Sequence, residues 1–155
     1  MVTDVTSLKI VPRYAEIDQQ GVVFNGHYLT WFDEASTSFF VHIGLPYHQL
    51  TSGGVDVKVV HAELDYVASV RWRDVVRVAV VCEATGRTSF TLRFDALRRD
   101  PDSDGAVEQL AVRGRNVYVV VSTTDWAKRE IPEELRRALI SVAAQGLPPE
   151  GTVAS

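Results

Sequence analysis

The chain has 155 residues, a net charge of −4 and a 46% hydrophobic composition, which fits one domain that buries roughly 70% of its unfolded surface. Its acidic balance, without a Lys/Arg block longer than a pair, argues against a nucleic-acid partner. The single cysteine, Cys82, and the lack of an apolar run near ~18 residues lead us to expect a cytoplasmic protein without a membrane span.

The first predicted elements are a strand and a long helix. The strand covers Leu8–Tyr14, and because Pro12 lacks a ladder donor we expect it at a sheet edge or a bulge. After a glycine turn, large apolar residues recur with a helical period from Tyr28, at positions 28, 31, 32, 35, 39 and 43. Asn25 is the expected N-cap of this helix, and Gly44 is its expected left-handed C-terminal cap.

Four further strands follow without a helix between them. Alternating apolar and polar residues predict strands over 55–70, 75–84, 88–97 and 107–123, with a β-bulge at Val60 and a polar loop over 98–105. A second helix starts at Pro132 and ends at Gly146. Strands joined without crossovers are antiparallel, so we predict an α+β fold in which one five-stranded antiparallel sheet wraps around the long helix. We expect one domain over residues 1–146 and a disordered tail over 147–155.

The turn before the long helix carries a motif. It reads Asp18-x-x-Gly21-Val22-Val23-x-Asn25-x-x-Tyr28, and with the element order up to about Pro132 it resembles the hot-dog fold acyl-CoA thioesterases of the 4-hydroxybenzoyl-CoA thioesterase family. In that family the aspartate before the glycine turn is the catalytic carboxylate, which implies this role for Asp18. Residues of similar type to many relatives also stand at Arg13, Glu16, Trp31, Glu34 and the dipeptide Asp65-Tyr66.

Two positions depart from the family pattern. Ile17 precedes the aspartate where the signature commonly has a small polar residue or cysteine. Asn25 stands where the hydroxybenzoyl and Tol-Pal-associated branches often have an aromatic residue or histidine, and it is more similar to the branches acting on fatty acyl thioesters. The resemblance therefore implies thioester hydrolysis and leaves the acyl group open.

The chemistry of thioester hydrolysis fits this motif. Attack on the carbonyl develops negative charge on its oxygen, and free N–H groups at a helix start are suitable donors. We expect the Asn25 N–H to be the oxyanion donor, while Asp18 either attacks the carbonyl, giving a mixed anhydride, or activates a water as general base. The catalytic candidates are Asp18 and Asn25, and the substrate-binding candidates are Gly21, Val23, Phe24, Gly26, His27 and Tyr28.

Other functions stay open at this stage. A hot-dog dehydratase or hydratase needs a histidine paired with a carboxylate, for which His27 and Glu63 are the candidates. In another hot-dog branch a helix carboxylate is the catalyst, and Glu34 lies on the polar side of the long helix. A non-catalytic module that binds acyl thioesters is a third possibility, because a fold alone does not establish activity. The histidine and cysteine spacing predicts no metal site, and we expect no cofactor.

The predicted sheet also implies an assembly. One layer curved over one helix leaves open edges, which symmetric pairing would cover, so we expect a homodimer or homotetramer. In the resembling family the site lies between protomers. The expected substrate is an acyl-CoA or an acyl-carrier protein. The candidates for contacts to the phosphates of CoA are Arg71, Arg73, Arg87 and Arg129.

Overall fold

The computed structural model describes residues 6–103 and 107–141. Within these ranges five strands form one antiparallel sheet: β1 (Thr6–Ile10), β2 (Val55–Tyr66), β3 (Val75–Thr85), β4 (Ser89–Arg99) and β5 (Gln109–Ser122). The helices are α1 (His27–His42), α2 (Tyr47–Ser52) and α3 (Glu133–Ser141), and a 3-10 turn (Tyr14–Glu16) follows β1. The predicted α+β fold with a five-stranded antiparallel sheet and one long helix is confirmed.

The order of strands in the sheet is β1-β3-β4-β5-β2, so β1 and β2 form the two edges. β1 is an edge strand, as Pro12 predicted, although it ends at Ile10, before the proline. The pairing of β2 with β5 shifts register between Val59 and His61, which confirms the bulge predicted at Val60. Long strands that bend in this way can follow the surface of a helix.

β2 ends earlier than the sequence predicted. It stops at Tyr66 rather than at residue 70, because the chain turns away from the sheet there. The N–H groups of Val67 and Ala68 both donate to the carbonyl of Ala111, at 2.8 and 3.0 Å. Two successive donors on one acceptor end the alternating ladder of an antiparallel pair. The segment 67–70 thereby returns towards the loop that precedes α1.

α1 is held against the sheet by aromatic side chains. Phe32, which is fully buried, stacks on Phe94 of β4 with ring centroids 4.8 Å apart, and Phe40 meets Phe90 edge-on at 6.2 Å. Offset and edge-to-face contacts of this kind add to the area that the rings bury. The helix is therefore fixed in position over the middle of the sheet.

The two ends of α1 differ in how well the sequence predicted them. At the C-terminal end Gly44 has φ 82° and its N–H donates to the carbonyl of Val41 at 3.0 Å, which confirms the predicted left-handed cap. At the N-terminal end the prediction was wrong, because the capping position is Gly26 and no side chain caps the helix. Asn25 instead belongs to a turn in which the His27 N–H donates to the carbonyl of Phe24 at 3.1 Å.

α3 buries Leu135 and Leu139 as its periodicity predicted. Its predicted end at Gly146, the tail 147–155 and residues 104–106 of the predicted loop lie outside the described residues, and β4 extends through the loop's predicted start as far as Arg99. Among the helices of residues 6–103 and 107–141, none is long and apolar enough to cross a membrane.

Candidate active site

A cleft of about 260 Å³ opens between the loop before α1 and the end of β2. Four of the eight predicted site residues line it, namely Asp18, Val23, Asn25 and Tyr28. Gly21, Phe24, Gly26 and His27 are neighbours of these residues in the chain but are not part of the lining. The sequence did not predict the opposite wall, which consists of Tyr66 and the segment 67–69. The only feature of the sequence that pointed to Tyr66 was the dipeptide Asp65-Tyr66, which matches the family that the chain resembles.

Asp18 is half-buried at this cleft, and its backbone is fixed by a tight turn. The Asp18 N–H donates to the carbonyl of Val22 at 2.9 Å, and the Gly21 N–H donates to the carbonyl of Asp18 at 3.0 Å. Gly21 has φ 77°, a conformation that glycine adopts without strain. The side chain joins the turn because the Gln20 N–H donates to Asp18 Oδ1 at 2.7 Å.

This turn leaves part of the carboxylate available. In the part of the chain that the structure describes, Oδ2 of Asp18 accepts no hydrogen bond. Holding one oxygen against the backbone fixes the direction of the other, so the carboxylate needs little reorganisation to act at the cleft. Turn formation and catalysis are therefore compatible roles for the same side chain.

The loop that carries Val23 is held from both sides. The Val23 N–H donates to the carbonyl of Val70 at 2.8 Å, and the Phe24 N–H donates to the carbonyl of Glu16 at 2.9 Å. One bond links the loop to the segment that leaves β2, and the other links it to the 3-10 turn after β1. The cleft is thus formed by three segments that are distant in sequence.

Glu16 is the buried anchor of this loop, with 3% of its surface exposed. Its carboxylate accepts hydrogen bonds from the Trp31 indole N–H of α1 at 2.8 Å and from the Arg13 backbone N–H at 2.8 Å. Burial acts to raise the pKa of Glu16, but these hydrogen bonds and the Arg13 guanidinium outweigh it, so the pKa lies below the usual 4.5. Glu16 therefore stays ionised beneath the loop at neutral pH.

Replacing Glu16 with alanine is expected to lower the free energy of unfolding by about 3 kcal/mol at pH 7, because the buried Trp31 indole N–H and the part-buried Arg13 N–H lose their acceptor. Since the folded pKa is depressed, this stabilisation is present above the unfolded pKa of 4.5 and is lost as the pH falls below it. Urea unfolding at pH 7 and pH 3.5 should thus show a larger effect at pH 7. The exposed Glu34→Ala is the control, and equal stabilities of the two variants at pH 7 would contradict this role.

Tyr28 forms the floor of the cleft and is 3% exposed. Burial is the main reason that its pKa rises to about 12, although the backbone N–H of Val70 donates to its hydroxyl and acts in the opposite direction. Tyr28 is therefore a neutral phenol at neutral pH and does not serve as a base there. Its ring meets that of Tyr66 edge-on, with centroids 5.9 Å apart.

The start of α1 offers hydrogen-bond donors beside Asp18. Within the described residues, neither the Asn25 N–H nor the Gly26 N–H has an acceptor, while the carbonyl of Asn25 accepts a hydrogen bond from the Tyr66 hydroxyl at 3.0 Å. Free amides at the positive end of a helix dipole attract an anion or a developing negative charge. Asp18 and Asn25 line the same cleft, and the Gly26 amide is the next one along the chain.

The histidine and carboxylate proposed for a dehydratase are not brought together. The ring of His27 packs edge-on against Phe24, with centroids 5.8 Å apart, whereas Glu63 lies on the exposed part of β2, where its Oε1 is 3.8 Å from Nε2 of His61.

Glu34 lies in a second depression of about 260 Å³. Arg13, Glu16 and Trp31 line the same depression, so it brings together four positions that match the family in residue type. Among residues 6–103 and 107–141, no group of three or more His, Cys, Asp or Glu side chains is placed to hold a metal.

Of the four arginines considered for phosphate contacts, Arg71 is joined to the cleft, because its backbone pairs with that of Val22, which lines it. Arg73 follows it in a turn and has φ 75°. The guanidinium of Arg87 bonds to Glu130 at 3.1 Å and is exposed. The backbone N–H of Arg129 donates to Val120 at the far end of β5.

Known proteins resemble this chain in sequence and in structure. The family model of the thioesterase-like superfamily matches residues 12–139. A 4-hydroxybenzoyl-CoA thioesterase of Pseudomonas sp. (strain CBS-3) is 28% identical over 110 residues, which cover 69% of this chain and 76% of that one. A hypothetical protein from Thermus thermophilus superposes with a TM-score of 0.76 at 28% identity, covering 88% of this chain and 98% of that one. A 1,4-dihydroxy-2-naphthoyl-CoA thioesterase from Synechocystis shares the fold, with a TM-score of 0.75 at 20% identity and coverage of 90% and 98%.

Proposed function

The chain belongs to the thioesterase-like superfamily, and on that basis we propose that it hydrolyses the thioester of an acyl-CoA or acyl-carrier protein to a free acid and a thiol. The observation that carries the proposal is that Asp18 and Asn25 line one cleft, where the amides of Asn25 and of the adjacent Gly26 have no acceptor within the described residues. A nucleophile or base beside fixed oxyanion donors is the minimum that acyl transfer requires.

The proposed reaction assigns one task to each group. The thioester carbonyl oxygen lies at the amides of residues 25 and 26, which stabilise the charge that forms there. The free oxygen of Asp18 either attacks the carbonyl carbon, expelling the thiolate and leaving a mixed anhydride that water cleaves, or removes a proton from an attacking water. The thiolate takes a proton from solvent in both routes, and Tyr28 closes the cleft as a neutral phenol.

The test of this proposal is thiol release from benzoyl-, butanoyl-, octanoyl- and palmitoyl-CoA, together with a carrier protein loaded with the same acyl groups. The chain's own thiol adds little background, because Cys82 is buried and burial raises its pKa to about 11. Hydrolysis of at least one substrate well above the uncatalysed rate is expected. No release from any of them by a protein that unfolds cooperatively would contradict the proposal.

We also propose that the chain forms a homodimer through the free edge of β2. This strand exposes two adjacent large apolar side chains, Val59 at 49% and Val60 at 59%. A long, exposed edge strand is normally protected, and antiparallel pairing of two copies would protect it. β2 ends at Tyr66 beside the cleft, so a partner on this edge would lie close to the site.

Val60→Asp is expected to convert the dimer into a monomer, because two carboxylates would be buried in the paired edge. Sedimentation equilibrium should give twice the chain mass for the wild type and a mass near that of one chain for the variant. Val107→Asp is the matched control, since Val107 is 80% exposed and lies away from β2. A monomeric wild type, or an unchanged mass in Val60→Asp, would contradict this interface.

A cytoplasmic location is part of the proposal. Cys82 is a free, buried thiol, and as the single cysteine of the chain it has no partner for an internal disulfide. Proteins of oxidising compartments more often rely on disulfides. Acyl-CoA and acyl-carrier substrates also suit a reducing compartment, because their thiol products remain free there.

A further inference from the structure

The Tyr66 hydroxyl makes a contact that the hydrolysis scheme does not yet use. Tyr66 is the last residue of β2, and its hydroxyl donates to the carbonyl of Asn25 at 3.0 Å, across 41 residues of chain. The side chain is 56% exposed, so burial does not hold it in place. Its ring contact with Tyr28 and this one hydrogen bond fix its position at the rim of the cleft.

The hydrogen bond from Tyr66 to the Asn25 carbonyl also orients the Gly26 N–H. The Asn25 carbonyl and the Gly26 N–H belong to one planar trans peptide, so fixing the carbonyl also fixes the N–H on the opposite side. Accepting a hydrogen bond polarises the peptide and makes its N–H a stronger donor. Without such a bond, a peptide that precedes glycine rotates easily, because Gly26 has no Cβ to restrict it.

The neighbouring peptide is held in the same way. The carbonyl of Phe24 accepts the His27 N–H at 3.1 Å, which fixes the Asn25 N–H that shares its peptide plane. Two successive peptides are thus each fixed through the carbonyl, one by the backbone and one by Tyr66. In both cases the amide is the group without an acceptor among the described residues.

We propose that Tyr66 is a positioning residue for thioester hydrolysis, holding and polarising the Asn25–Gly26 peptide so that the Gly26 N–H acts as an oxyanion donor beside the Asn25 N–H. The proposal rests on the proposed function and adds to it a second donor and the side chain that aims it. It also gives β2 a part in catalysis, since the edge strand reaches the oxyanion site through this hydroxyl.

The kinetic test compares Tyr66→Phe with Tyr47→Phe. Tyr47 is a matched control, because it is also exposed and its hydroxyl donates to Asp56 at 2.7 Å, away from the cleft. With benzoyl-CoA and butanoyl-CoA, Tyr66→Phe is expected to lower kcat about tenfold, while KM stays within about twofold, because the lost stabilisation appears only in the transition state. Tyr47→Phe should match the wild type, and the melting temperatures of all three should be close.

A second measurement does not depend on turnover. Glycine-selective ¹⁵N labelling gives signals from only ten residues, and Gly26→Ala identifies the signal of Gly26. Loss of the hydrogen bond to the Asn25 carbonyl in Tyr66→Phe should shift the Gly26 amide signal, whereas Tyr47→Phe should leave it unchanged. An unmoved Gly26 signal would overturn the positioning role.

The kinetic outcomes separate this inference from the proposed function. If the wild type hydrolyses the thioesters and Tyr66→Phe retains full kcat, the role of Tyr66 is refuted while hydrolysis stands. A rise in KM at unchanged kcat would also refute it, because that pattern indicates a loss of substrate binding. If the wild type hydrolyses nothing, both proposals fail.

Discussion

Asp18→Asn is expected to lower kcat for acyl-CoA hydrolysis by about 10²- to 10⁴-fold without unfolding the chain. The amide of asparagine neither attacks a carbonyl nor accepts a proton from water at neutral pH. Its carbonyl oxygen can still accept the Gln20 N–H, so the turn that holds residue 18 should persist. The loss therefore reports chemistry rather than structure, and thiol release measured under saturating substrate should show it.

The control for this substitution is Asp125→Asn. Asp125 forms a turn of the same kind, since its Oδ1 accepts the Ala127 N–H at 3.0 Å, and it lies after β5, away from the cleft. Replacing it removes the same charge from a comparable turn, so its kcat should equal that of the wild type. Wild-type activity in a folded Asp18→Asn would eliminate Asp18 as nucleophile and as base.

The fold could be predicted because its signals are local. The helical period from Tyr28, the glycine at position 44 and the change of phase at Val60 each reflect the conformation of a few neighbouring residues. Such short-range preferences do not depend on residues that are distant in the sequence. Agreement among them identified the sheet and the helix that it covers.

The parts of the site that the sequence missed depend on contacts between distant segments. Asn25 was expected to cap α1, yet its carbonyl is engaged by Tyr66 of β2, and the turn from Phe24 to His27 starts the helix one residue later. The wall formed by residues 67–69 exists because β2 ends at Tyr66 and the next two N–H groups turn to the carbonyl of Ala111 on β5. No residue spacing within either segment predicts these contacts. The sequence therefore predicted the Asp18 side of the cleft but not the opposite wall.

A large loss of stability is expected from Gly114→Ala. Gly114 lies on the face of β5 that meets α1, paired with Phe94 on β4 and Leu64 on β2. A Cβ at this position would overlap Cε2 of Phe32 and lie 2.9 Å from its Cδ2. Phe32 is fully buried and stacked on Phe94, so its ring has no free space to move into.

We expect Gly114→Ala to lower the free energy of unfolding by about 3 kcal/mol, since overpacking a filled core forces side chains off their rotamers and shifts the backbone. Gly86→Ala is the control, because a Cβ there meets only the flexible Ser89 side chain at 3.3 Å and the Ser89 carbonyl at 3.5 Å. Urea unfolding at one fixed protein concentration should rank the stabilities as wild type, Gly86→Ala, Gly114→Ala.

A double mutant separates overpacking from a loss of backbone flexibility. If the clash with Phe32 is the cause, Phe32→Leu should relieve it, so the double variant Phe32→Leu/Gly114→Ala should be more stable than the sum of the two single losses predicts. If the cost came from the strand backbone at residue 114, the two losses would add. An unfolding midpoint of Gly114→Ala equal to that of the wild type would show that α1 is not packed on the sheet as closely as the overlap requires.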